Sequence, residues 1–471
     1  MPKEFNNEKE GKEWVEKYES MMSSQKAEFL DLEAYEYIIF HYVTLNEPSK
    51  AKVACELAME TYPYSSELLV DYAHVLANCG DNKNAMEMVE KAEQFFPYDV
   101  DLIVLKCSLM NHEGRYNDVI HYLTDIEPII EQKERIYHAL ANTFAQMENY
   151  QDSVTWFKKS LDIDPNANDC LEEFLVVLSA EDQLELGLPY FKIALDNDPF
   201  DSILWLSYAN VLNTLEDFED AILAIDYCLA LEEKMHVAHF HKGNILMNME
   251  KYKEAAEAFQ EAISINEKQS EYYVGVGAAM ESLEKFDQAI HFFRKAIKLN
   301  PEQDDAYFGI GSCLLEMEKF SEAIHFFNKA IHYDNENPTY WINKAVAEYG
   351  LGNIVSAEQA FEKVYELEPE NLSLWLDWSH IYFEQGHTEK AVSMMNEAIA
   401  LMPDEALLYY RCAAYLFSTG SLKEALIHLE NAILLDYDSH AVLFEFFDDL
   451  KTQKVLYKII QEIKNNGKSN Q

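Results

Sequence analysis

Apolar and small positions along the chain repeat every 34 residues. Twelve rows of 34 residues, the first starting at Leu32, run without insertion or deletion to Ser439. Column 20 of these rows is alanine in nine cases, column 24 is apolar in all twelve, and column 27 is alanine in eight. Offsets of four and seven residues place the three columns on one stripe of an α-helix, where a small-large-small series permits close helix contact.

A second helical stripe lies earlier in each row. Column 4 carries a large aromatic or aliphatic residue in eleven rows, column 8 is mostly small, and column 11 is mostly apolar. This is again the i, i+4, i+7 pattern of an amphipathic helix. Column 32 is proline in seven rows, where it cannot continue a helix and disfavours helical geometry in the residue before it. Each row is therefore predicted to be a helix-turn-helix hairpin.

The column signature resembles the tetratricopeptide repeat: Trp or Tyr at column 4, Gly or Ala at 8, Ala at 20, Phe at 24, Ala at 27 and Pro at 32. The clearest rows are 270–303, 304–337 and 338–371. The resemblance implies an all-α fold, a right-handed solenoid (superhelix) of about twelve 34-residue units with terminal capping helices. Rows 100–133 and 168–201 depart most from the signature, so we expect looser or distorted packing there.

These rows divide the chain into three parts. Residues 1–31 are predicted to form an N-terminal extension with one capping helix, and residues 32–439 the tandem units. Residues 440–471 are predicted to form a degenerate thirteenth unit, a basic C-terminal capping helix and a short tail. The units start at residues 32, 66, 100, 134, 168, 202, 236, 270, 304, 338, 372 and 406.

The charge of the chain restricts its partners. There are 84 acidic and 37 basic residues, a net charge of -47, which repels nucleic-acid phosphates and anionic lipid headgroups. The acidity either attracts basic protein segments or simply keeps a large helical surface soluble, and both interpretations stand. The sequence shows no long uncharged apolar stretch, so no membrane insertion is expected. Seven isolated cysteines fit reduced thiols, and we expect a cytoplasmic protein.

No catalytic or cofactor motif is found in the sequence. The pairs Gly275/Gly277 and Gly309/Gly311 lack the third glycine of a dinucleotide loop and fall within predicted helices. The cluster of His236, His239 and His241 lacks a fourth ligand at a suitable spacing, and His239 occupies column 4, where imidazole can replace tyrosine. We therefore predict no enzyme activity, no metal and no cofactor.

A binding groove is the main functional expectation. The resemblance implies that the first helix of each unit lines a concave face through columns 2, 5, 9, 12 and 13. Amide side chains there can hold an extended peptide backbone, whereas helix-exposed asparagine also clusters by chance. The amides at these columns are Asn142, Asn210, Asn213, Asn244 and Asn248, with Asn111 one row earlier.

Toward the C-terminus the same columns become apolar and aromatic. They carry Phe308, Tyr349, Phe383, Tyr410 and Phe417. Such residues either form an exposed strip that binds a partner or pack between adjacent first helices. Column 2 supplies an acidic groove edge suited to basic ligand segments, formed by Glu33, Glu67, Asp101, Asp169, Glu271 and Asp305.

The sequence thus favours a non-catalytic scaffold or adaptor that binds a polypeptide segment in the concave groove of the solenoid. The predicted partner is a protein or peptide with basic segments. Two alternatives remain: a non-catalytic subunit of an enzyme complex, and a self-assembling structural homo-oligomer.

Overall fold

The computed structural model describes residues 8–24, 29–447 and 450–469. Within these ranges the chain is all-α and contains no β-strand. Inside each of its two units consecutive helices pack as antiparallel pairs, which is an α-solenoid architecture. The chain divides into two compact units, an N-terminal unit, Met1–Asp217, and a C-terminal unit, Phe218–Gln471. The boundary falls inside the predicted row 202–235, after its first helix.

The N-terminal unit contains twelve α-helices and one 3-10 turn in its described residues. The bounds are α1 Glu8–Ser24, α2 Leu32–Thr44, α3 Pro48–Thr61, α4 Ser66–Asn78, α5 Asn82–Glu93, α6 Val100–His112, α7 Tyr116–Ile126, α8 Lys133–Gln146, α9 Tyr150–Ile163, α10 Asn168–Ala180, a 3-10 turn Leu184–Gly187, α11 Leu188–Asn197 and α12 Ser202–Thr214.

The C-terminal unit continues the alternation of first and second helices. The bounds are α13 Phe218–Leu231, α14 His236–Asn248, α15 Tyr252–Ile265, α16 Ser270–Ser282, α17 Phe286–Leu299, α18 Asp304–Glu316, α19 Phe320–Tyr333, α20 Pro338–Gly350, α21 Ile354–Leu367, α22 Leu372–Glu384, α23 Thr388–Leu401, α24 Ala406–Ser418, α25 Leu422–Leu435, a 3-10 segment Asp438–Phe446 and α26 Leu450–Ser469.

The second helices bury the predicted stripe. Every column 24 residue, such as Phe259 or Phe293, is at most 1% exposed, as are the alanines of column 20. Glycines on neighbouring first helices let these rings approach the backbone: a Cβ atom added at Gly275 would lie 2.8 Å from the Phe259 ring. The glycine pairs in the sequence are thus packing positions for the column 24 ring.

The aromatic side chain at column 4 carries a polar atom that donates a hydrogen bond to the turn before the first helix. Trp375 Nε1 donates to the Pro369 carbonyl at 2.7 Å, and Tyr409 Oη to the Pro403 carbonyl at 3.0 Å. His239 Nε2 makes the equivalent bond to the Glu233 carbonyl at 2.9 Å. The backbone carbonyl at column 32 therefore accepts a hydrogen bond from the column 4 side chain of the next row. The imidazole of His239 takes the place of tyrosine in this bond.

The turn inside each hairpin has a left-handed residue that the column pattern did not predict. Column 15 has positive φ in all twelve rows, with glycine in five, for example Gly386 at 78°, and a larger residue in the others, for example Glu284 at 57°. The following N–H bonds back to the helix, as in Lys285 N to Met280 O at 2.9 Å. This is the Schellman type of helix end, which glycine accepts at the lowest cost.

The two rows that depart from the signature have the shortest second helices of the twelve. Helix α7 ends at Ile126, two residues before Pro128, and α11 is reduced to ten residues behind a 3-10 turn that ends at Gly187. Proline and glycine at positions that other rows fill with helix formers account for the shortening.

Helices α1 and α26 pack on the first and the last of the described hairpins. Tyr18 of α1 is 3% exposed and packs with Tyr42, while Leu456 and Ile460 of α26 are buried against α24 and α25. The segment expected to begin a thirteenth unit is a 3-10 helix, Asp438–Phe446, and not an α-helix. Phe447 stands at column 8, where a close-packed first helix needs a small residue. The division of the chain into three parts stays a prediction.

Candidate functional site

In the N-terminal unit, the first helices α2 and α4 line a cavity of about 420 Å³. The predicted acidic residues Glu67 and Asp101 lie on its wall, and Phe40 and Val43 contribute apolar surface that is 38% and 39% exposed. Glu33, also predicted for the acidic edge, is exposed on α2. Carboxylates and apolar groups therefore occur together on this first-helix face.

A larger cavity of about 980 Å³ lies among α6, α8 and α10. It brings together three predicted residues: Asp101, Asn142 and Asp169. The first two already have partners in the protein, since Arg135 Nη2 lies 2.6 Å from Asp101 Oδ1 and Asn142 Nδ2 donates to Glu173 Oε2 at 2.6 Å. A ligand would have to displace these bonds to use the same polar atoms.

The Glu173 carboxylate accepts two side-chain hydrogen bonds in this cavity. One is the bond from Asn142, and the other comes from His138 Nε2 at 2.5 Å. Burial by itself raises the pKa of Glu173, but the hydrogen bonds from His138 and Asn142 hold that pKa below its ordinary value. The carboxylate stays charged and satisfied without a ligand.

In the C-terminal unit, helices α14, α16 and α18 form a cavity of about 380 Å³, called here the α14–α18 pocket. It brings together four of the predicted residues. The amides Asn244 and Asn248 come from α14, Glu271 from the first turn of α16, and Asp305 from the first turn of α18. Columns 2, 9 and 13 of three successive rows thus meet at one place.

The floor of the α14–α18 pocket is apolar. Phe240, Met247 and Val274 line it together with the buried ring of Phe259. Phe240 is held in place by the Phe259 ring at 5.6 Å and the Tyr272 ring at 5.1 Å between centroids. An apolar side chain of a ligand would find a preformed surface here.

The polar rim of this pocket is acidic. Glu271 and Asp305 are exposed, and no Lys, Arg or His lines the cavity among the described residues. Asp305 accepts one hydrogen bond, from Tyr340 Oη at 3.0 Å. The half-buried Asn244 side chain makes no hydrogen bond within the part of the chain that the structure describes. Its amide is therefore available to a ligand.

The last helix of the N-terminal unit carries the two remaining predicted amides. Asn210 and Asn213 lie on α12, and both side chains are half-buried. The Asn210 carbonyl accepts a hydrogen bond from Thr214 Oγ1 at 3.1 Å. Asn111, one row before Asn142, is different: it is only 5% exposed and donates to Thr143 Oγ1 at 3.0 Å. It therefore serves packing between α6 and α8.

Four of the predicted aromatic residues pack between adjacent first helices. Phe308 stacks on Tyr340 with 5.0 Å between centroids, and Phe383 stacks on Tyr415 at 4.5 Å. Tyr349 Oη donates to Glu384 Oε2 on the next first helix at 3.0 Å. Phe417 joins the clusters around α24. Their half-buried rings pack against the core clusters, which supports the alternative that they fill the space between adjacent first helices. That they bind a partner stays a prediction.

Tyr410 cannot be a groove residue in this structure. Its side chain is fully buried, and its hydroxyl donates to the Asp436 carbonyl at 2.7 Å. The cause is the 3-10 segment Asp438–Phe446, which packs against α24 where the next first helix would otherwise lie. A column 5 residue next to this segment becomes core.

The same segment fills the first-helix face at α22 and α24. The Phe446 ring lies 6.0 Å from Phe383 and 5.7 Å from Tyr415, and the Arg411 guanidinium lies 4.7 Å above it. Sequence reasoning missed this contact because Phe446 lies beyond the last clear repeat. It also missed Phe240, although column 5 is the column in which Phe308 was noticed.

The histidine cluster has ordinary partners. His236 Nδ1 hydrogen bonds with Tyr272 Oη at 2.6 Å, His239 closes the column 4 turn, and burial lowers the pKa of His241. Among the described residues there is no group of three or more His, Cys, Asp or Glu arranged to hold a metal ion. In those residues no helix is both long enough and apolar enough to cross a membrane.

Family models match several parts of the chain. Models described as tetratricopeptide repeat match residues 282–347 and 348–404, residues 236–269, and residues 134–167. The last two segments coincide with predicted rows. A search of curated proteins found no match.

The solved structures that match the chain include YrrB, the Cut9–Hcn1 complex and MamA. YrrB, described as a TPR protein with an unusual peptide-binding site, is 24% identical over 39% of this chain and 95% of its own, with a TM-score of 0.31. The Cut9–Hcn1 hetero-tetramer of the APC/C gives 12% identity over 89% of this chain and 97% of the matched chain, with a TM-score of 0.41. MamA is 22% identical over 36% of this chain and 92% of its own, with a TM-score of 0.32.

The matched segments fall in both units, and the helical hairpins there carry the buried column 20 and column 24 stripe of the repeat. Arrays of this kind act in general as scaffolds for protein–protein interaction. The chain therefore contains tetratricopeptide repeats in both units.

Proposed function

We propose that this protein is a non-catalytic adaptor that binds an extended polypeptide segment in the α14–α18 pocket. The observation that supports the proposal is the meeting of Asn244, Asn248, Glu271 and Asp305 over an apolar floor. The pocket joins three kinds of contact that peptide recognition uses: amides for the backbone, apolar surface for one side chain, and charge for another.

The amide of Asn244 would bind the ligand backbone. A carboxamide offers both donors and acceptors, so it can pair with the N–H and C=O of one extended residue whatever its side chain. Asn244 is half-buried and makes no bond of its own among the described residues. Binding would therefore cost no internal hydrogen bond at this position.

The carboxylates would select a basic side chain. Glu271 and Asp305 are exposed on the rim, and no cation lines the pocket in the described residues. A Lys or Arg of the ligand could extend its aliphatic stem over Phe240 and place its charge between them. The net charge of -47 would speed the approach of such a segment at low salt.

A cytoplasmic location is part of the same proposal. All seven cysteines are free, and six of them are buried, so the fold uses thiols as packing groups without a disulfide. Free thiols are typical of a reducing compartment.

The test begins with a phage-displayed library of 12-residue peptides selected against the full chain. We expect enriched sequences to combine Lys or Arg with a neighbouring apolar residue. An enriched peptide should bind the double variant Asn244→Ala/Glu271→Gln about tenfold or more weakly than the unmodified protein, as measured by calorimetry.

The matched control is Gln260→Ala/Glu261→Gln, which makes the same kind of changes on the exposed face of α15. This variant should keep full affinity. Equal affinity of both double variants would place the binding site elsewhere, and enrichment of acidic peptides would contradict the proposed ligand chemistry.

A further inference from the structure

Helix α26 carries two lysines that have no carboxylate partner among the described residues. Lys454 and Lys458 are exposed one turn apart on α26. Neither makes a hydrogen bond or ion pair with any residue in the described parts of the chain. The protein as a whole has 84 acidic and 37 basic residues, so these two lysines form a local positive patch on an acidic protein.

Aromatic side chains lie beside these lysines. Tyr457 is 50% exposed, and the His440 ring lies 6.5 Å from it and 6.0 Å from Phe444. Phe444, Gln453, Lys454, Tyr457 and Lys458 together line a cavity of about 420 Å³, called here the basic-aromatic surface. The surface therefore offers an apolar recess next to two positive charges.

The basic-aromatic surface is built on a fixed support. Leu456 and Ile460, on the opposite side of α26, are 4% and 0% exposed and belong to the core cluster of α24 and α25. Gln453 Nε2 donates to the Phe447 carbonyl at 2.7 Å, which ties α26 to the end of the 3-10 segment. The outward side chains are thus presented by an anchored helix.

We propose that the basic-aromatic surface binds a short acidic segment of another protein that carries an aromatic or aliphatic side chain. Carboxylates of the segment would pair with Lys454 and Lys458, and the apolar side chain would enter the recess beside Tyr457 and Phe444. Charge complementarity of this kind governs both the rate and the specificity of association.

The charge of the whole protein decides between anionic partners. A net charge of -47 repels a polyanion such as nucleic acid, or a second copy of this chain, more strongly than it repels a peptide with a few carboxylates. Salt shortens the range of that repulsion to roughly 8 Å at physiological strength, within which the two lysines dominate for a short ligand. Glu462, one turn beyond Lys458, interrupts the basic stretch, which resumes at Lys464.

The probe is a fluorescent 12-residue peptide of alternating Glu and Leu with one central Phe, and binding to the full chain is followed by polarisation. Lys454→Gln/Lys458→Gln should weaken binding about tenfold, and Tyr457→Ala should weaken it as well. The control Lys285→Gln/Lys319→Gln removes the same charge from exposed lysines before α17 and α19 and should leave affinity unchanged.

Several results would overturn the proposal. They are failure of the probe to bind the unmodified protein, equal losses in the two double lysine variants, and tighter binding of a 12-nucleotide RNA than of the peptide. A fourth is a molecular mass that rises with protein concentration in light scattering and that no longer rises in Lys454→Gln/Lys458→Gln. A second copy of the chain would then be what occupies the surface. Circular dichroism verifies that each variant folds. Asn244→Ala/Glu271→Gln should not affect the probe, so this test is independent of the α14–α18 pocket.

Discussion

Two regions of the C-terminal unit have the same repeat columns and different surroundings. At α14–α18, columns 2, 9, 12 and 13 border an open pocket, with Met247 at column 12 and the uncommitted amide of Asn244 at column 9. At α22–α24, the column 12 ring of Phe383 is stacked on Tyr415 and covered by Phe446 from the 3-10 segment. A column therefore defines the direction of a side chain, whereas the neighbours decide whether that side chain can meet a ligand.

The largest expected effect comes from removing the covered ring. Phe383→Ala should lower the free energy of unfolding by about 2–3 kcal/mol, below the range of a fully buried Phe because this ring is half-buried. Urea unfolding combined with hydrogen exchange would report the loss in α22 and α24. The peptide selected for the α14–α18 pocket should bind this variant normally. A variant with unchanged stability would show that Phe383 is surplus to packing after all.

The open pocket should be sensitive to volume in its wall. Gly275→Ala would place a methyl group 2.8 Å from the Phe259 ring, so the ring and the neighbouring first helix must shift. We expect a cost of about 1–2 kcal/mol and a weaker affinity for the selected peptide. Gly350→Ala, which meets the Phe320 ring at 2.6 Å outside the pocket, is the control. It should destabilise the protein without changing affinity.

The hairpin turns of the two regions differ at column 15. Glu284 follows α16 with φ at 57°, and Gly386 follows α22 with φ at 78°. Glu284→Gly should stabilise the protein by about 0.5–1 kcal/mol, and Gly386→Ala should destabilise it by about 1 kcal/mol, because only glycine takes positive φ without steric cost. Thermal melting would measure both. Changes of the same sign would contradict this explanation of the turn.

The smallest expected effect is a pH dependence in α14, the helix that carries Asn244. Burial lowers the pKa of His241 on α14, so the folded state disfavours the imidazolium. The unfolded chain then binds more protons, and the contribution of His241 to stability is lost as pH falls below about 6.5. Hydrogen exchange in α14 at pH 7.5 and 5.5 should show the loss, and His241→Gln should reduce it. An equal loss in the variant would assign it to other groups.

Much of the fold follows from the spacing of residues. Alanine at column 20, an apolar residue at column 24 and an aromatic residue at column 4 predicted the paired helices, and in the structure columns 20 and 24 are buried. The candidate site could be predicted from the sequence only in part. Asn244, Glu271 and Asp305 meet in one pocket, whereas Asn142 and Asp101 have internal partners and Tyr410 is core. Whether a groove side chain finds a hydrogen-bond partner inside the protein depends on residues about one row away, such as Glu173 and Arg135. No single column reveals these residues.

The sequence by itself determined the repeat, because helical periodicity and the need for small residues at close contacts are local constraints on every row. Only the tertiary structure decided which first-helix side chains remain accessible. Accessibility depends on contacts between elements that no periodicity describes, such as Phe446 against Phe383 or Arg135 against Asp101. A side chain that saturates its hydrogen bonds or buries its ring inside the protein has little left to offer a ligand. That is the physical reason why the same columns form a pocket at α14–α18 and a packed core at α22–α24.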